Sequence, residues 1–146
     1  MKSIIKDIEE MRNLAENFVA ELKPNSVGAK VVGLYGELGA GKTTFSQAVA
    51  KSFDVSETVT SPTFVIMKVY DISYTLKFER LIHIDAYRLE KSEELLHLGW
   101  QEIISDPKNL ILIEWPERVQ DIIPEHIRIN FEHISENSRE IEILEQ

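Results

Sequence analysis

Residues Gly33–Phe45 read GLYGELGAGKTTF and directly follow an apolar run, and this stretch decides the fold. The segment from Gly36 to Thr43 matches the phosphate loop G-x-x-x-x-G-K-[ST] at every fixed position. Glycines let successive backbone N–H groups point into one concavity, and the helix that follows directs the positive end of its dipole there. Lys42 can reach the β and γ phosphates, and the Thr43 hydroxyl can ligate Mg²⁺. The stretch therefore predicts a site for nucleotide phosphates.

The segments on either side of the loop alternate between strand-like and helix-like apolar patterns. This alternation predicts an α/β domain with a central, largely parallel sheet and antiparallel edge strands. Together with the phosphate loop, this organisation resembles the three-layer domain of P-loop NTPases. We expect residues 1–146 to form one domain. The predicted elements are a helix from Ile4 to Leu22, strands at Val31–Tyr35, Phe64–Tyr70, 80–85 and 109–114, helices at 45–53 and 91–104, and a terminal hairpin turning at Asn137-Ser138.

Composition and charge limit the classes of function. The chain has 146 residues, no cysteine and a net charge of −9, with 25 acidic residues against 16 Lys and Arg. Proteins that bind nucleic acid on their own usually present a basic face, so this balance argues against autonomous binding of DNA or tRNA. No apolar run approaches the ~18 residues that span a bilayer, and the first residues are too acidic for a signal peptide. We therefore expect a cytoplasmic protein with no membrane partner.

Two acidic residues end buried strand patterns, Asp85 after LIHI and Glu114 after LILI. In open α/β sheets, ligands lie beyond the carboxyl ends of the strands, so both acids are predicted to face the metal and the γ-phosphate. Asp85 can hold a metal-bound water or orient the attacking one, and Glu114 can ligate the metal directly. The spacing alone does not assign these roles.

A third element is the segment TVTSPTF, in which Pro62 stiffens a turn and Thr63 offers a hydroxyl. A threonine in such a loop can sense a γ-phosphate, as switch segments do, although an ordinary turn fits the sequence equally well. The remaining polar and aromatic candidates have no ligand spacing and are interpreted as packing or exposed residues: His83, His97, His126, His133, Trp100 and Trp115.

Four motifs occur in an order that resembles the bacterial TsaE (YjeE) family, small P-loop ATPases needed to form threonylcarbamoyladenosine on tRNA. The resemblance covers nearly the whole chain. The motifs are GELGAGKTTF (36–45), SPTF (61–64), HIDAYRL (83–89) and IEWPE (113–117).

This resemblance implies an activity, cofactors and partners. The chain would bind and hydrolyse ATP with Mg²⁺, yielding ADP, and would act on the transferase pair TsaD and TsaB, which modifies adenosine 37 of tRNAs that read ANN codons. Contact with tRNA would be only indirect, through that complex, which agrees with the acidic composition.

The resemblance also implies site residues. Thr43 and Glu114 would be the magnesium ligands, Asp85 would act in hydrolysis beside Lys42, and Thr63 would be the switch-like threonine. The nucleotide-binding loop would comprise Glu37, Leu38, Gly39, Ala40, Gly41, Lys42, Thr43 and Thr44.

Two further positions can be compared with the pattern of that family. Many members carry a threonine near the nucleotide in an EET segment, where this chain has Glu9-Glu10-Met11. An arginine before a C-terminal strand also recurs in the family, and Arg139 matches it weakly.

Three other functions compete with the ATPase reading. A GTPase would carry an [NT]-K-x-D motif, which the sequence lacks. A small P-loop kinase would carry clustered lid arginines, but the arginines here are scattered. A nucleotide-gated binding module with negligible turnover would use the same residues as an ATPase, so the sequence does not separate these two.

Overall fold

A computed structural model describes residues 1–55, 66–72 and 77–144, and the strands of this part form one seven-stranded sheet. Its spatial order is β1-β7-β6-β2-β5-β4-β3. The strands are β1 (Lys2–Ile5), β2 (Lys30–Tyr35), β3 (Met67–Asp71), β4 (Arg80–Asp85), β5 (Asn109–Glu114), β6 (Ile127–Ser135) and β7 (Ser138–Leu144). The helices are α1 (Ile8–Glu21), α2 (Lys42–Ser52), α3 (Ser92–Leu96) and α4 (Trp100–Ser105), with a 3₁₀ turn at Pro116–Val119.

The centre of the sheet is parallel and its edges are antiparallel, as the sequence predicts. Strands β6, β2, β5 and β4 run in one direction. On one side β3 pairs antiparallel with β4; on the other, β7 pairs antiparallel with both β6 and β1. Within the described ranges, no helix combines the length and the apolar character needed to cross a bilayer.

Helices cover both faces of the central strands, which explains why those strands are continuously apolar. All six residues of β5 are buried. One face packs against α1 and α2, where Phe45 and Val49 meet Leu110 and Leu112. The other face packs against α3, α4 and the 3₁₀ turn, where Trp100 lies among Ile111 and other aliphatic side chains.

The predicted first helix begins too early. Residues from Lys2 to Ile5 form the edge strand β1 on β7 instead. The Asp7 carboxylate then accepts the Glu10 N–H at 2.8 Å, so Asp7 caps a helix that begins at Ile8. Ile4 and Ile8 match the helical spacing, but they are 47% and 58% exposed and do not belong to the buried face.

The long helix predicted at 91–104 is divided in two. The first helix ends at Leu96 with His97 as its C-cap, and Gly99, with a left-handed φ of +88°, is the N-cap from which α4 begins. The predicted strand start at Phe64 lies outside the described residues; within the described residues, β3 comprises Met67–Asp71. The terminal hairpin is confirmed, with β6 and β7 joined at residues 136–137.

Candidate nucleotide-binding site

The phosphate loop connects β2 to α2 and has the backbone that its glycines predict. Gly41 is the N-cap of α2 with a φ of +107°, which disfavours any residue with a side chain. Gly36 approaches the hairpin so closely that a Cβ would lie 2.6 Å from the Phe131 carbonyl oxygen. The loop is therefore held against β6 and directs the N-terminus of an eleven-residue helix at the site.

Asp85 and Glu114 lie together at the carboxyl ends of neighbouring strands. They are register partners in the parallel pair β4–β5, and both are buried. The Ala86 N–H donates to the Glu114 carbonyl at 2.9 Å, so the chains remain paired just beyond the strand ends. The Asp85 Oδ1 accepts the Tyr87 N–H at 3.0 Å, which orients that carboxylate.

Thr43, at the start of α2, contacts the carboxylate of Glu114. Its Oγ1 lies 3.2 Å from Oε1 and 3.4 Å from Oε2 of Glu114. A hydroxyl and a buried carboxylate so close together are hard oxygen donors of the kind Mg²⁺ prefers. No group of three or more His, Asp or Glu in the described residues could hold a metal by itself. These donors fit an ion that takes its other ligands from phosphates and water.

Lys42 places a buried ammonium between the loop and these acids. Its Nζ donates to the Gly36 carbonyl and lies 3.7 Å from the centroid of the Trp115 ring. Burial lowers the pKa of Lys42, while the negative charges of Glu114 and its acidic neighbours oppose that shift. These carboxylates favour the charged form of the side chain, and at such low solvent exposure a positive charge acts strongly on an anion.

A cavity of about 510 Å³ joins these groups. Leu38, Gly39, Gly41, Lys42, Thr43 and Thr44 line it at the loop, together with Asp85 and Glu114. Two predicted loop residues do not line it: Ala40 is buried in the core, and Glu37 is exposed to solvent. Thr63 lies outside the described residues.

Segments remote in sequence also line the cavity, namely Ile8 and Met11 of α1 and Asn137 and Arg139 of the terminal hairpin. Met11 lies against the loop, because a Cβ at Gly41 would be 3.4 Å from its Cε. Met11 stands where the threonine of the EET segment would be, so an apolar side chain occupies that position. The Arg139 NH1 donates at 3.1 Å to the carbonyls of Ser135 and Ser138, which fixes its guanidinium beside the opening.

Two residues interpreted as packing or exposed positions belong to the site. His83 contacts Glu114, with 2.6 Å between Nε2 and Oε2. Trp115, at a φ of +59°, covers Lys42 and packs 5.0 Å from the Tyr87 ring. The alternation of side chains along a strand could have identified His83, because His83 precedes Asp85 by two residues and therefore lies on the same face of the sheet. No comparable signal predicts the contact of Trp115 with Lys42.

Comparison with known proteins gives consistent results. A family profile described as "Threonylcarbamoyl adenosine biosynthesis protein TsaE" matches residues 5–141. A protein of Rickettsia felis named tRNA threonylcarbamoyladenosine biosynthesis protein TsaE is 38% identical over 97% of this chain and 78% of its own length. A relative of the same name from Haemophilus influenzae is 34% identical over 86% of this chain and 76% of its length. The crystal structure of Bacillus subtilis YdiB superposes with a TM-score of 0.75 at 28% identity, covering 97% of this chain and 82% of that one.

Proposed function

The chain belongs to the TsaE family of threonylcarbamoyl adenosine biosynthesis proteins, and on this premise we propose that it binds ATP with Mg²⁺ and hydrolyses it to ADP. The observation that carries the proposal is the convergence of Lys42, Thr43 and Glu114 at one end of the cavity. Helix α2 supplies the first two residues, and β5 supplies the third. A positive charge that can bind phosphate thus lies beside two oxygen donors that can bind a metal, at the carboxyl edge of the parallel strands.

The chain's own residues divide the chemistry of hydrolysis. Lys42 and the N-terminus of α2 stabilise negative charge on the phosphates. Thr43 and Glu114 hold Mg²⁺, which when bound would neutralise phosphate charge and orient the phosphates for attack. Asp85, oriented by the Tyr87 N–H, positions the attacking water by accepting a hydrogen bond from it. In this proposal Thr63 senses the γ-phosphate.

We further propose that ATP turnover serves the transferase pair TsaB and TsaD in the cytoplasm. That pair would hold the tRNA whose adenosine 37 is modified. A net charge of −9 makes an independent contact between this chain and tRNA unfavourable. The protein therefore acts on a protein surface according to the state of its nucleotide.

Phosphate release from ATP tests this function, first with the pure protein and then with the partner pair and tRNA added. We expect slow release by the protein alone and faster release in the complex. Transfer of the γ-phosphate to a small acceptor would instead indicate a kinase. Tight ATP binding without turnover under both conditions would indicate a nucleotide-gated binding module.

Tryptophan fluorescence provides an independent test of where the nucleotide binds. The chain has two tryptophans, and only Trp115 lines the cavity. Trp100 is fully buried, with its indole N–H donating to the Ile122 carbonyl at 3.1 Å. Adding ATP and Mg²⁺ should therefore change the emission of the wild type and of Trp100→Phe, but not of Trp115→Phe. A response that persists in Trp115→Phe would contradict this placement.

A further inference from the structure

The closest partner of the Glu114 carboxylate is His83, on the neighbouring strand. The His83 Nε2 lies 2.6 Å from the Glu114 Oε2, and the two side chains are only 1% and 4% exposed. A carboxylate that binds Mg²⁺ is ionised and can only accept hydrogen bonds, so the metal-binding role proposed for Glu114 requires Nε2 to be the donor. A donor to a buried ionised group makes a short, strong hydrogen bond, which fits the observed distance.

The register of the sheet explains why these side chains meet. His83 is paired with Leu112 in the parallel β4–β5 ladder, and Glu114 lies two residues further along β5 on the same face. Leu81 and Leu110 lie on that face below them, within the core that packs against α2. On its inner side the carboxylate thus borders apolar side chains, and His83 is the polar group that contacts it there.

The two oxygens of Glu114 differ in their contacts. His83 contacts Oε2 at 2.6 Å, whereas the Thr43 hydroxyl lies near both oxygens, 3.2 Å from Oε1 and 3.4 Å from Oε2. A fixed position of Oε2 also fixes the rotation of the carboxylate about the Cγ–Cδ bond. Oε1 is then held beside Thr43, the other residue assigned to Mg²⁺.

The second ring nitrogen of His83 makes a purely structural role a poor explanation. Its Nδ1 is buried and has no hydrogen-bond partner within residues 1–55, 66–72 and 77–144. A buried polar atom without a partner costs stability, and an aliphatic residue at this position would avoid that cost. The single hydrogen bond to Glu114 is therefore the property that distinguishes histidine here.

We propose that His83 is a positioning residue that holds Glu114 in the orientation that binds Mg²⁺. The inference rests on the proposed function, because it assigns Glu114 to the metal. It predicts a specific loss of magnesium affinity: hydrogen-bonding partners of metal-binding carboxylates typically contribute 10- to 100-fold to affinity. Binding of nucleotide without metal should be unaffected, because His83 does not line the cavity.

The test compares His83→Leu, which removes the donor, with His83→Gln, whose amide nitrogen can replace Nε2. ADP binding is measured by calorimetry in EDTA and across a series of MgCl₂ concentrations. For His83→Leu we expect the half-maximal MgCl₂ concentration to rise about 10- to 100-fold, with ADP affinity in EDTA unchanged. His83→Gln should restore most of the magnesium response.

Several outcomes separate this inference from the proposed function. If the wild type binds ADP with a magnesium response that His83→Leu shares, the positioning role is wrong and the nucleotide site stands. If the wild type binds no nucleotide, the proposed function fails first. Should His83→Leu not fold, ¹⁵N NMR of histidine in the wild type decides: a protonated Nε2 whose signal shifts when MgCl₂ is added to the ADP complex supports the role. An unprotonated or unresponsive Nε2 overturns it.

Discussion

Replacing Lys42 with methionine is expected to lower ATP affinity roughly 10- to 100-fold, because hydrogen bonds to charged groups contribute about 1.5–3 kcal/mol. The same change is expected to lower the rate of hydrolysis by about 10²–10³-fold. The Lys42 ammonium is buried beside the loop, where its charge acts on phosphate with little screening by water. Methionine keeps much of the length and apolar surface of lysine but removes the charge. Calorimetry and phosphate release measure the two effects.

Lys51→Met provides the matched control, because Lys51 lies in the last turn of the same helix and is exposed. It should retain both ATP affinity and turnover. Thermal unfolding of both variants verifies that α2 remains folded. Normal ATP affinity in a folded Lys42→Met protein would remove this lysine from the site.

Replacing Glu114 with glutamine is expected to abolish the magnesium response and reduce hydrolysis at least about 100-fold, because it removes a metal ligand rather than one of its outer partners. Glutamine keeps the shape of the side chain, and its amide oxygen can still accept from His83. The charge that attracts the cation is lost. ADP binding in EDTA should remain or improve, because a negative charge near the phosphates is removed.

Glu102→Gln, an exposed change on α4, should leave all these quantities unaltered. Hydrolysis and magnesium dependence are measured in parallel for the two glutamine variants. A Glu114→Gln protein that retains the wild-type magnesium dependence would show that another residue holds the metal.

The sequence predicts the centre of the fold well because local patterns decide it. Buried parallel strands must be apolar on both faces, so LIHID and NLILIE are recognisable without tertiary information. The backbone of the loop requires glycines at its positions of positive φ. The helix after the loop is predicted by the helical spacing of its own apolar residues. The edge strand β1 was not predicted, because four residues at Lys2–Ile5 have no pattern apart from the strand on which they pair.

The site is similarly divided between what local sequence predicts and what only the fold shows. Asp85 and Glu114 each end an apolar strand, and parallel pairing then brings them together. Part of the cavity is lined by α1 and by the terminal hairpin, which are remote in sequence, so no local pattern identifies Met11 and Arg139 as lining residues. The contact between His83 and Glu114 could not be predicted without the register in which β4 and β5 pair.

The most direct test is a calorimetric titration of the purified chain with ATP, in MgCl₂ and again in EDTA. We expect saturable binding of one nucleotide per chain, tighter with magnesium and greatly weakened in Lys42→Met. Absence of saturable binding to the folded wild-type protein in MgCl₂, or binding indifferent to both magnesium and Lys42, would contradict this expectation.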